Sequence, residues 1–292
     1  MRWTPGGRST NLEDRRGQRP GFPGGRAGMP LGLGGVLVLL VLSLVFKKDF
    51  FSLLGAGDPA SQSQTQAPSE PGTFATTPEE EKLVDFVSFV LDDTQKEWAR
   101  LLPAMGKPYR DAHLVLFRDA AESACGFASA ASGPFYCPGD EKVYIDLGFY
   151  GELQQRFGAP GDFAQAYVIA HEIGHHVQNQ LGISSQVQEA RAANPEAANQ
   201  LSVLLELQAD CYAGVWGHAA AARGVLEPGD LEEGLNAAAA IGDDRLQKMA
   251  TGHVIPDGFT HGSSAQRVEW LRRGLQSGRC EECDTFARMN GQ

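Results

Sequence analysis

The amino-acid sequence predicts an α+β protein that is mainly helical, with a small sheet, preceded by one N-terminal transmembrane helix. Three observations support this fold class. Several segments carry apolar residues at helical spacing, two short runs are rich in β-branched and aromatic residues, and one long stretch lacks charge. The 292 residues are 42% hydrophobic and 21% charged, which is sufficient for a packed core. The net charge of −11 argues against nucleic acid as a partner, because such binding needs a basic patch.

The uncharged stretch covers residues 29–46 and reads MPLGLGGVLVLLVLSLVF. Its 18 residues are at the short end of what crosses a hydrocarbon layer of ~30 Å. A buried core helix and a signal peptide are the alternatives. The first would carry a polar stripe and the second would precede a cleavage site, but neither feature is evident. Four arginines at positions 15–26 precede the stretch, against Lys47 and Lys48 after it. The positive-inside rule then predicts a basic cytoplasmic segment at residues 1–28, a retained single-pass anchor, and an extracytoplasmic C-terminal bulk.

The folded domain is predicted to cover residues 77–292, after a flexible linker at residues 47–76 that is rich in Gly, Pro, Ser and Gln. Its first helix has a clear start signal, with Thr77 as the capping residue and Pro78 as the first helical residue. Further helices are predicted at residues 163–181 and 195–222, from near Asp230, and after a capping box at Ser263 and Gln266.

Two strands are predicted, at residues 113–117 (HLVLF) and 142–146 (KVYID), from their β-branched and aromatic content. We expect the second strand to form the sheet edge against which an extended peptide could lie. The sheet is therefore small, and the helices make up most of the domain.

The five cysteines fall into two close pairs and one single residue. Cys125 and Cys137 flank a loop, Cys280 and Cys283 form a C-x-x-C, and Cys211 is left over. A structural zinc site would need a second C-x-x-C pair, and the chain has none. The pattern favours two local disulfides, Cys125–Cys137 and Cys280–Cys283, in an oxidising compartment, which agrees with the predicted topology.

The second predicted helix contains the sequence His171-Glu172-Ile173-Gly174-His175. Residues four apart lie on one helix face, so the two imidazoles can bind the same zinc ion. Glu172 is rotated away from them and can act on a metal-held water as a general base. The alternative is a polar patch on a surface helix, but the neighbouring residues are mostly apolar, and buried imidazoles and carboxylates need partners.

The predicted helix at residues 195–222 supplies a third ligand. Glu206 and Asp210 lie four apart on an otherwise apolar helix, so Glu206 could complete the metal coordination. Asp210 could accept the free ring N–H of a ligand histidine and fix its tautomer. A plain surface stretch is the alternative for this pair. His261 could stabilise an oxyanion, although a capping or turn histidine is equally compatible with its position.

Several of these segments together resemble the putative neutral zinc metallopeptidase family of bacteria. The resemblance rests on the opening MRWTPGGRSTNLEDRRG followed by one span, on HEIGHHVQ, on ExxAD, on AIGDDRLQ (240–247) and on FTHGSSAQRVEWL (259–271). It implies a zincin-like domain with a gluzincin-like site, in which His171, His175 and Glu206 bind one Zn²⁺. It also implies a bacterial membrane protein, but it does not imply a particular substrate.

Three functions are compatible with these residues. The first is a membrane-anchored zinc metallopeptidase that acts on a peptide or protein, with Glu172 as general base and His261 as an assisting residue. The second is a non-catalytic membrane-anchored metal-binding or scaffold protein, and the third is hydrolysis of a non-peptide amide. Glu172 separates the first two, because a structural metal site requires no general base.

Overall fold

The computed structural model describes residues 1–18, 76–129 and 133–287. In these residues the architecture is mainly helical with a small sheet, as the sequence predicts. The α-helices are α1 (Pro78–Ala104), α2 (Gly148–Gln155), α3 (Asp162–Leu181), α4 (Ile183–Ala193), α5 (Ala198–Ala222), α6 (Asp230–Ala240), α7 (Asp243–Thr251) and α8 (Ser264–Ser277). The strands are β1 (Leu12–Asp14), β2 (His113–Phe117), β3 (Ala120–Ser123), β4 (Gly126–Ser129), β5 (Phe135–Cys137) and β6 (Lys142–Asp146). Short 3-10 helices lie at Pro195–Ala197, Pro256–Gly258 and Cys280–Cys283.

The main sheet has four strands in the order β1-β2-β6-β5. Strand β2 is parallel to both β1 and β6, whereas β5 is antiparallel to β6. The two strands predicted from sequence coincide with β2 and β6. The expectation that residues 142–146 form the sheet edge is wrong, because β6 lies inside the sheet and β5 covers it. Strands β3 and β4 form a separate hairpin.

The predicted start signals of α1 and α8 are confirmed. The hydroxyl of Thr77 accepts a hydrogen bond of 3.2 Å from the backbone amide of Glu80, and Pro78 is the first residue of α1. Ser263 and Gln266 form a reciprocal capping box before α8. Both signals consist of residues three positions apart, so the local sequence is sufficient to specify them.

Helix α3 is the central element of the fold, packed against α1, α5 and α6. It begins at Asp162 and ends before Gly182, whose φ of 80° lies in the left-handed region that glycine adopts readily. Most of its side chains are buried, including Phe163 and Tyr167. The polar residues on the buried face of this helix are therefore removed from water, which costs free energy unless a partner or a bound group compensates.

Residues 1–18 form an N-terminal arm that packs against the domain and belongs to the same compact unit. Strand β1 extends the sheet beside β2, and the buried side chain of Arg16 pairs with Asp14 and Glu81. The sequence predicts a basic segment at residues 1–28 that is separate from the domain, whereas residues 1–18 pack on the domain; the cytoplasmic location of the segment stays a prediction. The charge pattern indicated a solvated segment, whereas ion pairs with α1 compensate the burial of the arginine.

The predicted anchor at residues 29–46 and the predicted linker at residues 47–76 lie, except for residue 76, outside the described residues. In the described part of the chain, none of the helices is long and apolar enough to cross a membrane. The sidedness of the domain stays a prediction.

The two disulfides of the structure only partly match the predicted pairs. Cys125 and Cys137 are joined, as predicted. The Cys280–Cys283 pair is wrong, because Cys283 is joined to Cys211 and Cys280 carries a free thiol. The 3-10 helix at Cys280–Cys283 packs on α5 and α8, which brings Cys283 to the buried Cys211. This bond connects the C-terminal segment to the helix that carries Glu206.

Helices α5 and α8 approach each other closely through two glycines. A Cβ atom on Gly274 would lie 2.0 Å from the carbonyl oxygen of Cys211. A Cβ atom on Gly214 would lie 2.3 Å from the carbonyl oxygen of Leu271. Both distances are impossible for real atoms, so the two backbones are in contact at these positions and only glycine fits.

We predict that Gly274→Ala lowers the free energy of unfolding by about 2 kcal/mol or more, because the methyl group would push α8 away from α5. Gly151→Ala is the matched control, since Gly151 is also helical but has open space around its Cα atom. That control should gain about 0.5–1 kcal/mol from helix propensity alone. Denaturant unfolding of both variants measures the difference, and an equally stabilised Gly274→Ala variant would contradict this packing.

Candidate metal centre

Helices α3 and α5 bring the three predicted metal ligands together. Nε2 of His171 lies 3.2 Å from Oε2 of Glu206, and Nε2 of His175 lies 3.5 Å from Oε1 of the same carboxylate. The two imidazole rings stand edge to face, with centroids 4.8 Å apart. One donor atom from each residue lies within 4.8 Å of the others, so all three can reach one cation.

The chemistry of this donor set fits zinc. Two imidazole nitrogens and one carboxylate oxygen, facing an open cavity, are the protein ligands of a common class of catalytic zinc site. The electrostatics also favour a cation at this point. Although burial opposes protonation, the carboxylates of Asp210 and Glu206 raise the pKa of His171 to about 10. Burial would raise the pKa of Glu206, yet the charges of the two histidines hold it well below its usual range. The negative charge of the carboxylates therefore favours a cation between these groups.

Each ligand histidine has a partner at its other ring nitrogen. Nδ1 of His171 donates to Oδ1 of Asp210 at 2.9 Å, in the position that the sequence predicts for this residue. Nδ1 of His175 lies 2.8 Å from Oε1 of Gln178. The amide nitrogen of Gln178 donates to the backbone carbonyl of Leu205 and to Gln208, which fixes its oxygen toward the histidine. Both rings therefore keep Nε2 free for the metal.

Sequence reasoning missed Gln178. It lies three residues after His175, so both side chains share one face of α3, and this spacing was the available signal. Its two acceptors lie on α5 and could not be identified from the sequence.

Asp210 is fully buried and is neutralised by Arg267 of α8. Nε and Nη2 of Arg267 bind the two carboxylate oxygens of Asp210 at 2.9 Å each, in a bidentate pair. The hydroxyl of Tyr167 donates to the same carboxylate, and Arg267 donates to that hydroxyl. The carboxylate that orients His171 is therefore itself held by two further side chains.

Glu172 lies in the wall of the same cavity with 6% of its surface exposed. Burial raises the pKa of its carboxyl group, although the charges of His171 and His175 oppose the rise. No described residue is seen to hydrogen-bond this carboxylate. It is therefore available to a water molecule or a substrate, as a general base requires.

His261 also lines the cavity, on the loop between Pro256–Gly258 and α8. Its backbone amide donates to Oδ2 of Asp243 at 2.7 Å, and its ring Nδ1 lies 3.2 Å from Oδ1 of the same residue. The hydrogen bond to Asp243 raises the pKa of the His261 ring. The structure thus brings His261 to the cavity and fixes it there, while its catalytic role stays a prediction.

The cavity in front of these residues has a volume of about 700 Å³. Its wall includes Tyr136 on strand β5, and β5 has no strand on its outer side among the described elements. The other apolar parts of the wall come from several elements, namely Phe135, Phe149, Phe157, Val187, Leu205, Ile241 and Leu246. An open sheet edge beside an apolar cavity can accept an extended chain with apolar side groups.

We predict that Arg267→Met weakens zinc binding about 10- to 100-fold, because Asp210 would lose its counter-charge and no longer hold His171 in place. Arg267→Lys should keep the charge and restore part of the affinity. Arg273→Met, on the same helix, is the control, because Arg273 stacks on Trp270 and forms no ion pair with the Asp210 carboxylate among the described contacts. Competition with a chromophoric chelator measures the affinity. Unchanged zinc binding in a folded Arg267→Met variant would refute this role.

Comparison with known proteins agrees with the geometry. The sequence profile of a family described as "Putative neutral zinc metallopeptidase" matches residues 1–286. The chain is 46% identical over 295 aligned positions to the uncharacterized protein YpfJ of Escherichia coli strain K12, with 99% of both chains covered. It is also 45% identical over 201 positions to the uncharacterized protein Rv2575 of Mycobacterium tuberculosis, covering 65% of this chain and 66% of that protein. No solved structure matches the chain.

Proposed function

This chain belongs to the putative neutral zinc metallopeptidase family, and we propose that it hydrolyses peptide bonds with zinc as cofactor and Glu172 as general base. The single observation that carries the proposal is the position of Glu172. Its carboxylate is buried in the cavity that His171, His175 and Glu206 also face, yet it takes no part in their cluster. A group in this position can act on water beside the metal.

The chemical roles follow from this arrangement. Zinc, when held by His171, His175 and Glu206, supplies a Lewis acid that polarises the scissile carbonyl and acidifies water. Glu172 accepts the proton of the attacking water and passes it to the amine nitrogen that leaves. The raised pKa of its carboxyl group suits both steps, because the group must take up the proton and then release it.

We further propose that the substrate lies extended along β5. The outer edge of this strand offers backbone N–H and C=O groups, and Phe135 and Tyr136 lie in the cavity wall. His261 lies in the same wall, where a ring nitrogen can donate to the oxygen that gains negative charge during attack. Apolar side chains of the substrate would occupy the apolar parts of the cavity.

A non-catalytic metal-binding or scaffold protein is the alternative function. Such a protein would need His171, His175 and Glu206, but it would gain nothing from an unpaired carboxylate or from an open cavity beside the metal. Burial raises the pKa of the Glu172 carboxyl group, so its position in the cavity wall costs free energy, and a role in catalysis accounts for that cost.

We propose in addition that residues 29–46 attach the protein to a membrane of a bacterial cell. Support comes from the 18 uncharged residues of this segment. The two disulfides of the domain support an oxidising location.

We predict that Glu172→Gln lowers the kcat of peptide hydrolysis about 10²- to 10⁴-fold and leaves the zinc content unchanged, because the amide cannot accept the proton. Glu152→Gln is the matched control, since Glu152 lies in the same cavity wall but pairs with Arg156. A peptide library assay and metal analysis of the full chain measure both quantities. Full activity in the Glu172→Gln variant would refute the mechanism, and an inactive, zinc-loaded wild type would favour the scaffold alternative.

We predict that His261→Ala lowers kcat about 10²-fold with little change in zinc affinity, because His261 would donate to the substrate and not to the metal. His253→Ala provides the control, as His253 is an exposed histidine of the same region outside the cavity wall. Steady-state kinetics and chelator competition are the measurements. A large loss of zinc affinity would instead identify His261 as a group that supports the metal.

A further inference from the structure

The N-terminal arm is attached to the domain by backbone pairing along β2. Leu12, Glu13 and Asp14 pair in parallel register with β2. Hydrogen bonds of 2.8 Å extend this pairing at both ends, from the amide of Leu114 to the carbonyl of Asn11 and from the amide of Arg15 to the carbonyl of Leu116. The arm thus completes the edge of the sheet.

Arg16 adds a buried charge to this attachment. Its side chain is 1% exposed. Nη2 lies 2.6 Å from Oδ2 of Asp14 and 3.0 Å from Oε1 of Glu81, and Nη1 lies 3.3 Å from Oε1 of Glu80. Two of these three carboxylates belong to α1 of the domain. A guanidinium that is removed from water in this way depends on all of its partners, so the arm fits this surface specifically.

The start of the arm contacts the first half of α1 and the first residues of two other helices. The side chain of Met1 is in the hydrophobic core, and the ring of Trp3 lies 5.3 Å from that of Phe86. The Met1 amine is 2.8 Å from Asp162, the first residue of α3, and 3.3 Å from Asp230, the first residue of α6. The arm therefore contacts the beginning of the helix that carries His171.

These contacts have a consequence for the predicted topology. The arm precedes residues 29–46 in the chain, and the rest of the domain follows them. If this segment crossed the membrane once, a hydrocarbon layer of ~30 Å would separate the arm from β2 and α1. The arm therefore cannot dock on the domain if residues 1–28 and the domain lie on opposite sides of the membrane.

We propose that residues 1–18 and the domain of residues 76–287 lie on the same side of the membrane, with the arm docked as the edge of the sheet. Strand pairing, the buried ion pairs of Arg16 and the apolar contacts of Trp3 all require this. The disulfides Cys125–Cys137 and Cys211–Cys283 place this side in the oxidising compartment. The proposal rests on the membrane attachment proposed above, but not on peptidase activity.

Labelling of single cysteines in intact cells tests the sidedness. In a Cys280→Ser background, which removes the free thiol, Arg2→Cys reports on the arm and Arg100→Cys on the domain. The side chains of Arg2 and Arg100 are 70% and 67% exposed, so both positions are accessible. A membrane-impermeant maleimide should label both variants of the full chain in spheroplasts. If both variants are labelled only after lysis, the arm and the domain are on the same side of the membrane, but that side is the cytoplasm. Labelling of Arg100→Cys before lysis and of Arg2→Cys only after lysis overturns the proposal.

Cross-linking tests the docking itself. The hydroxyl of Ser9 donates to Oδ1 of Asp92 on α1, so the pair Ser9→Cys and Asp92→Cys should be joined by a short bifunctional thiol reagent. Ser9→Cys with Asp257→Cys is the control, because Asp257 lies in another part of the domain. We expect an intramolecular product, identified by peptide mass, only for the first pair. Absence of this product in membranes that contain folded, zinc-binding protein overturns the proposal. Fractionation of the same cells tests membrane attachment separately.

Discussion

The candidate metal centre depends on one buried ion pair, between Asp210 and Arg267. Asp210 has no exposed surface and holds Nδ1 of His171, so an uncompensated charge at this position would be very costly. Arg267 supplies the compensation with two hydrogen bonds to the carboxylate. The pair can form only where α8 touches α5, and that contact exists because Gly214 and Gly274 carry no side chains. A backbone contact far from the metal ligands thus determines whether His171 is correctly oriented.

The parts of the site that could be predicted from the sequence are those that one helix fixes by itself. His171 and His175 are four residues apart, as are Glu206 and Asp210, and helical periodicity is enough to place each pair on one face. The helix ends near Gly182 and Ser263 were predictable for the same reason. Local spacing specifies them, and the structure confirms both.

The parts that could not be predicted depend on contacts between distant segments. Arg267 is 57 positions from its partner Asp210, and Cys211 and Cys283 are 72 positions apart. Nothing in the spacing of these residues distinguishes the native partner from others, because the packing of α5 against α8 and the C-terminal segment decides it. The spacing of Cys280 and Cys283 favours a local pair, because the sequence does not show that the buried Cys211 lies beside Cys283.

The N-terminal arm shows that a charge pattern does not predict which cations are buried. The positive-inside rule counts each arginine as a charge exposed to solvent, and the cytoplasmic location that it predicts for residues 1–28 stays a prediction. Arg16 is instead buried, because Asp14 and Glu81 replace the water that it loses. A strand of three residues is also too short to show a recognisable alternation of apolar and polar side chains. Strand β1 could therefore be identified only from its pairing with β2.

The part of α5 that carries Glu206 and Asp210 is fixed at both ends by groups other than the candidate metal ligands. Gln178 of α3 binds the carbonyl of Leu205, next to Glu206, while the Cys211–Cys283 disulfide holds the residue after Asp210. Protein packing therefore sets the position of Glu206 relative to His171 and His175, and the cation does not have to organise its own ligands. Preorganisation of this kind would reduce the ordering cost of binding a cation that His171, His175 and Glu206 would hold beside the cavity. The same rigidity would serve the proposed role of Glu172, because a general base is effective only when its position relative to the attacking water is fixed.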